Sequence, residues 1–230
     1  MRKKSTSEQE AESSEDAILC ATGIRKVPYI VGGCIFHSIP SHGRFPVIIP
    51  IQYMGSACAP SPVKLFCAIL YAPGADIAVV HNRLNAQFGP FDHSYGPIDF
   101  GYTKYYEEEM GTGLQKSYHT FAGFVGRETL ASAKLFTNAL EQDFARNGKR
   151  TVNVDPGYLS RDKLVLASTK DFFHRIYLSD GIYAEVTLHF RRQLCRHFSW
   201  TYPDYRTEGF ANFIVNSRET LGEDSGMRKE

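Results

Sequence analysis

Few of the features that announce a function are present. The 230 residues contain one tryptophan and five cysteines. Cys20, Cys34, Cys58, Cys67 and Cys195 form no C-x-x-C pair. An odd number of thiols, in a chain large enough to bury a core without staples, argues against a disulfide framework and a zinc site. No metal is expected, and reduced cysteines in a cytoplasmic protein are. No apolar run reaches the ~18 residues of a membrane-spanning helix. Arg2, Lys3 and Lys4 resemble the start of an export signal, but Glu8, Glu10, Glu12, Glu15 and Asp16 fill the place of its apolar stretch, so export is not expected. Charge of one sign is also lacking. Lys and Arg number 26 and Asp and Glu 25, which removes any global electrostatic case for DNA, RNA or an anionic membrane. There is no G-x-x-x-x-G-K-[ST], no G-x-S-x-G, no H-E-x-x-H, and no G-x-G-x-x-G after the first strand, so phosphate loops, hydrolase elbows, zincins and Rossmann sites are excluded.

What the chain does have is globular texture. Hydrophobic residues make up 43% and aromatics 13%, too many for a disordered chain. Residues 1–62 stand apart. Residues 1–16 are rich in Ser and Glu and read as disordered. Residues 17–62 carry only Arg25, Lys26 and Arg44 as charges, with prolines at 28, 40, 46, 50, 60 and 62 that rule out a long helix. Two readings stay open for this extension: a loosely ordered but native segment, or upstream sequence ahead of a later start such as Met54. A single α+β domain is expected over 63–222, followed by a tail at 223–230.

Val63 to Tyr71 is a near-continuous apolar run of strand length, the signature of a central strand buried on both faces. Asp76 is a plausible N-cap for a helix carrying Ile77, Val80, Leu84 and Phe88, ended by Gly89-Pro90. Strands are expected over 98–106, with Phe100, Tyr102 and Tyr105, and over 115–125. A long helix follows from about Arg127 to Arg146, with Leu130, Ala133, Thr137, Leu140 and Phe144 on one face. Thr151–Asp155 reads as a strand ended by Pro156-Gly157, and Lys163–Ser168 as another. Asp180-Gly181 joins two further strands as a type I′ hairpin, and a last helix covers 208–218. The order β-α-β-β-α-β is a ferredoxin-like opening, extended by more antiparallel strands, with helices mainly on one face.

Several segments together carry a resemblance. Lys104-Tyr105-Tyr106-Glu107-Glu108-Glu109-Met110-Gly111, Val152-Asn153-Val154-Asp155-Pro156-Gly157-Tyr158-Leu159, His174-Arg175-Ile176-Tyr177-Leu178 and Trp200-Thr201-Tyr202-Pro203-Asp204-Tyr205-Arg206-Thr207 are among them. The chain resembles, over about Val63 to Phe213, a bacterial family known only as domain of unknown function 4416. The resemblance implies domain limits and a bacterial cytoplasmic protein; it implies no activity.

Candidate chemistry rests on a few polar residues. Asp155 precedes a turn, where Asp bonds its own backbone or serves as a catalytic acid or base. Ser168, Thr169 and Lys170 offer two hydroxyls and a cation for a phosphate or carboxylate, or form a merely polar strand end. Lys134 and Asn138, at i and i+4, sit off the apolar stripe, exposed or at a rim. Glu107, Glu108 and Glu109 read as a solvated acidic loop, with a hard-cation site as the alternative. Asp204 and Arg206 follow Trp200 and Tyr202; such a set stacks a base or sugar, or pins the last helix.

The hairpin gives the sharpest expectation. With Ser179 opposite Ile182, the register puts Arg175 opposite Val186, His174 opposite Thr187, and Glu185 one diagonal step from His174. Phe173, Tyr177, Ile182, Ala184, Val186 and Leu188 then share the core face. His174, Glu185 and Thr187 share the other, as an acid–base or anion-binding cluster or as plain solvated surface. Catalytic candidates are thus Asp155, His174 and Glu185, and ligand-binding candidates Lys170, Thr187, Asp204 and Arg206. No cofactor is indicated. Three function classes follow: a small-molecule enzyme or binder taking a phosphorylated or carboxylated ligand, a non-catalytic protein-interaction module, and an RNA-binding domain. The last is disfavoured, since residues 63–219 hold 18 Lys and Arg against 17 Asp and Glu and lack an RNP-type segment.

Overall fold

The computed structural model describes residues 57–222, so the readings made on 1–56 and 223–230 lie outside the described residues. The class is α+β. Eight strands, β1 (Val63–Tyr71), β2 (Phe91–Asp99), β3 (Gln115–Val125), β4 (Val152–Leu159), β5 (Lys163–Ser168), β6 (Arg175–Ser179), β7 (Ile182–Arg191) and β8 (Leu194–His197), form one sheet. The order is β2-β3-β1-β4-β5-β7-β6, with β8 also on β7, and every pairing is antiparallel. The helices are α1 (Ile77–Phe88), the short α2 (Glu107–Met110), α3 (Thr129–Asp143) and α4 (Glu208–Glu219), the last preceded by a 3₁₀ turn at Pro203–Arg206.

Alternation along β1 divides the core. Leu65, Cys67 and Ile69 pack with Val80 and Leu84 of α1 and with Ala133 and Leu140 of α3. Phe66 and Ala68 pack on the opposite face with Tyr205 of the 3₁₀ turn and with Phe210, Phe213 and Ile214 of α4. Helices therefore cover both faces, where most were expected on one. The aromatic docking face of α4 explains this, for Phe66 and Tyr118 bury themselves fully against it. Within the apolar run of β1, Lys64 is also buried. Its ammonium donates to Asp92 and to the Phe121 carbonyl, so the charge is neutralised where it stands.

Four expectations are corrected. The strand placed at 98–106 is Phe91–Asp99 instead. It is an edge strand, alternately half-buried and exposed, and so lacks the apolar run by which central strands are recognised; Phe100, Tyr102 and Tyr105 fall in the loop after it. The strand expected to end before Pro156-Gly157 runs through both. Pro156 lies opposite Cys67, and its missing N–H faces the side of β4 that has no strand neighbour there. Gly157 serves close approach rather than a turn: a Cβ would stand 2.5 Å from the Val165 carbonyl oxygen. The Asp180-Gly181 turn forms as read, with Ser179 opposite Ile182, but a bulge at Leu178 shifts the rest of β6 by one place. Arg175 then opposes Glu185 rather than Val186, and Phe173 and Tyr177, expected in the core, are exposed. Ile182, Ala184 and Val186 do meet the core, under α3. The fourth correction is β8, which was not foreseen.

Gly157→Ala is expected to cost about 1–3 kcal/mol through overpacking of β4 against β5, or roughly 2–12 °C in Tm for a chain of this size. Differential scanning calorimetry checks this; a variant that melts with the wild type contradicts the close approach.

Candidate functional site

The site begins at a gap in the sheet. Pairing between β4 and β5 stops at Gly157 opposite Leu166, so Val154 has no strand neighbour on that side. Its backbone groups are satisfied by α3 instead. Glu141 accepts the Val154 N–H at 2.8 Å, and Lys134 Nζ donates to the Val154 carbonyl at 3.1 Å. Two buried side chains of opposite charge thus stand in for a strand.

Other charges gather around them. Lys134 donates to Asp155 Oδ1 at 3.0 Å, and Asn153 donates to Asp155 Oδ2 at 2.8 Å. Arg150 bridges Glu141, Asn153 and Glu109, at 2.8 Å to the first two and 2.7 Å to the nearer Glu109 oxygen. Glu109 is thereby held below its usual pKa by the guanidinium. Burial pushes Glu141 up, against the charges of Lys134 and Arg150. Burial would raise Asp155 as well, but Lys134, Lys116 and the hydrogen bonds from Lys134 and Asn153 outweigh it and hold that carboxyl low. The Asp155 side chain keeps 30% of its surface, which belongs to the wall of a partly open cavity.

That cavity has a volume of about 540 Å³. One wall is Lys116 on β3, which donates to the buried Asp204 at 2.6 Å; the Tyr118 hydroxyl donates to the same oxygen at 2.8 Å. The Phe100, Tyr118 and Tyr205 rings surround the ammonium. The facing wall is Glu185 on β7, fixed by Arg175 Nε at 3.0 Å and His174 Nε2 at 2.9 Å. His174 stacks on Trp200 with centroids 4.9 Å apart, and Trp200 donates to the Val186 carbonyl. At the mouth, Lys170 Nζ donates to the Tyr105 hydroxyl at 2.8 Å.

Of the residues singled out from sequence, Asp155, Glu185, Lys170 and Asp204 line this one cavity, joined by Lys134, Asn138, Ser168 and Thr169. His174 stands behind Glu185 rather than in the wall. Its contact with Glu185 forms although the expected register does not, because His174 precedes the strand and is oriented by Trp200. Thr187 is fully buried, 3.4 Å from Glu185, and does not face the cavity. Arg206 is not in the wall either. It donates to the carbonyls of Thr201, Phe198 and Ser199, the pinning role that was its alternative. The Glu107–Glu109 run is helical, and Glu109 serves Arg150. Among the described residues no three His, Cys, Asp or Glu side chains converge on a metal position.

Lys116, Arg150, Asn153 and Arg175 escaped notice. A lysine within the largely buried β3 was the available signal for the first. The expected register, one place off, put Arg175 opposite Val186 and so on the core face.

The family described as Domain of unknown function (DUF4416) has a model that matches residues 61–221. The chain belongs to this family. No curated protein and no solved structure matches it.

The lowered Asp155 pKa has a signed consequence. A carboxyl held below its unfolded value adds stability above that value, about 3.8, and loses it as pH falls through the folded one. The Tm gap between wild type and Asp155→Asn is therefore expected to be widest near neutrality and to narrow as pH drops below about 4. A gap independent of pH contradicts the ion pairing.

Proposed function

We propose that this domain binds a small phosphorylated or carboxylated molecule in the cavity, as an enzyme or a dedicated binding protein. The observation that carries the reading is convergence. Side chains from α3, five strands, the 3₁₀ turn and the loops between them meet around one cavity, and Lys170 at its mouth has no carboxylate partner among the described residues. Lys170 is the anion contact in this reading, Asp204 positions Lys116, and Asp155 and Glu185 are the acid–base candidates, with His174 positioning Glu185. Cys58, Cys67 and Cys195 are free thiols, which supports a reducing, cytoplasmic setting. The order β2-β3-β1-β4 supports a ferredoxin-like classification of the first four strands. We take 63–222 as one domain, with 1–62 as an extension and 223–230 as a tail.

A second reading, a non-catalytic interaction module, is favoured by one observation. The edge strand β6 and the turn before it expose Phe172, Phe173, Ile176 and Tyr177, with His174 and Arg175 turned inward to Glu185. The opposite edge, β2, is interrupted by Gly96-Pro97 and carries Asp92, His93 and Asp99. RNA binding through an open aromatic sheet face is not supported, since α4 covers Phe66 and Tyr118.

A thermal-shift screen of phosphorylated and carboxylated small molecules tests the first reading. At about 100 times its Kd a true ligand adds about 2.7 kcal/mol. The expected result is at least one compound that raises Tm in the wild type and fails in Lys170→Glu. A screen in which no such anion shifts the wild type overturns it.

A further inference from the structure

Resting on the anion-site reading above, we infer that the ligand is a phosphorylated monosaccharide: a polyhydroxylated ring carrying one anionic group. The depth of the cavity and its mouth make different offers. Each deep cation already has a carboxylate partner. Lys116 has Asp204, Lys134 has Asp155, Arg150 has Glu109 and Glu141, and Arg175 has Glu185. These pairs present little unmatched charge, so the floor is a poor seat for a polyanion. It is instead a set of donors and acceptors spaced about one hydrogen bond apart. Asp155 accepts one bond on each oxygen, which leaves lone pairs directed at the space it is exposed to. The Asn138 amide in the same wall adds a donor and an acceptor. A sugar hydroxyl, donor and acceptor at once, is the group that bridges such neighbours.

The mouth differs. Lys170 is exposed, and among the described residues its ammonium bonds only the Tyr105 hydroxyl, which leaves two of its three donors for an anion. Ser168 and Thr169 stand beside it in the wall. Tyr102 and Tyr202 also line the mouth, with 43% and 51% of their surface exposed. Their electron-rich faces suit the C–H face of a sugar ring. A base sandwiched between two rings needs a parallel slot, which the neighbouring rings of this wall, meeting at 61°, 70° and 89°, do not offer. One molecule satisfies both regions: hydroxyls down against Asp155 and Asn138, phosphate up at Lys170.

Isothermal titration of the full chain tests this against a panel of triose, pentose and hexose phosphates, phenyl phosphate, inorganic phosphate and adenosine monophosphate. At least one sugar phosphate is expected to bind tenfold or more tightly than phenyl or inorganic phosphate. Asp155→Asn should cost that ligand at least tenfold without weakening inorganic phosphate. Tyr202→Ala, at an exposed position where folding is not at issue, should weaken the sugar phosphate several-fold and also spare inorganic phosphate. If phenyl phosphate equals the best sugar phosphate, or the nucleotide binds and no sugar phosphate does, the sugar inference is overturned and the anion site stands. If no member of the panel binds, both fall.

Discussion

Val154 lacks a strand neighbour on one side, and much of the site follows from how that lack is made good. An unpaired N–H and C=O in the middle of a sheet carry a desolvation cost of about 1–3 kcal/mol each. Here Glu141 and Lys134 on α3 take the place of the missing strand. That solution brings a carboxylate and an ammonium into the interior. They in turn draw in Arg150 through Glu141 and fix Asp155 through Lys134. The break in β4–β5 pairing and the ring of charges around it are one feature. The cavity is the space left where the strands part.

Such a network is a poor way to gain stability. Each buried ion loses several kcal/mol of hydration, on the order of what its partner returns, and apolar replacements of buried pairs are often neutral or better. The apolar clusters on the two faces of β1 supply the hydrophobic driving force without it. The charges are also placed where a solvent-filled space touches them rather than sealed in the core: Asp155 keeps 30% exposure while Lys134 beneath it keeps 6%. Charges that contribute little to folding and face a cavity are what the proposed ligand site would use.

Much of the fold was legible because its central elements obey simple periodicities. Val63–Tyr71 reads as a buried strand, and Leu130, Ala133, Thr137 and Leu140 mark α3, because burial on both faces or along one stripe leaves a pattern. Edge elements leave a weaker one. β2 is half polar and β8 is four residues long, so neither stands out. The site was legible in part for the same reason. Asp155, Lys170 and Glu185 are conspicuous as polar residues on or just after strands, and Asp204 as one among aromatics before the last helix. The bulge at Leu178 depends on how β6 lies on β7, so sequence spacing carried Arg175 to the wrong face. Lys116 bonds a partner 88 residues away in the chain, and Arg150 one that is 41 away.

The central claim is that the gap between β4 and β5 is a ligand site. A ¹⁵N-resolved NMR titration of the full chain with glucose 6-phosphate and ribose 5-phosphate tests it most directly. The account predicts saturable shifts concentrated at the amides of Asn153–Asp155, Ser168–Lys170 and Tyr202–Tyr205, with α1 and the outer edge of β2 unmoved. Saturable shifts centred on β6 and β8, or none at the cavity at ligand concentrations that saturate, would contradict it.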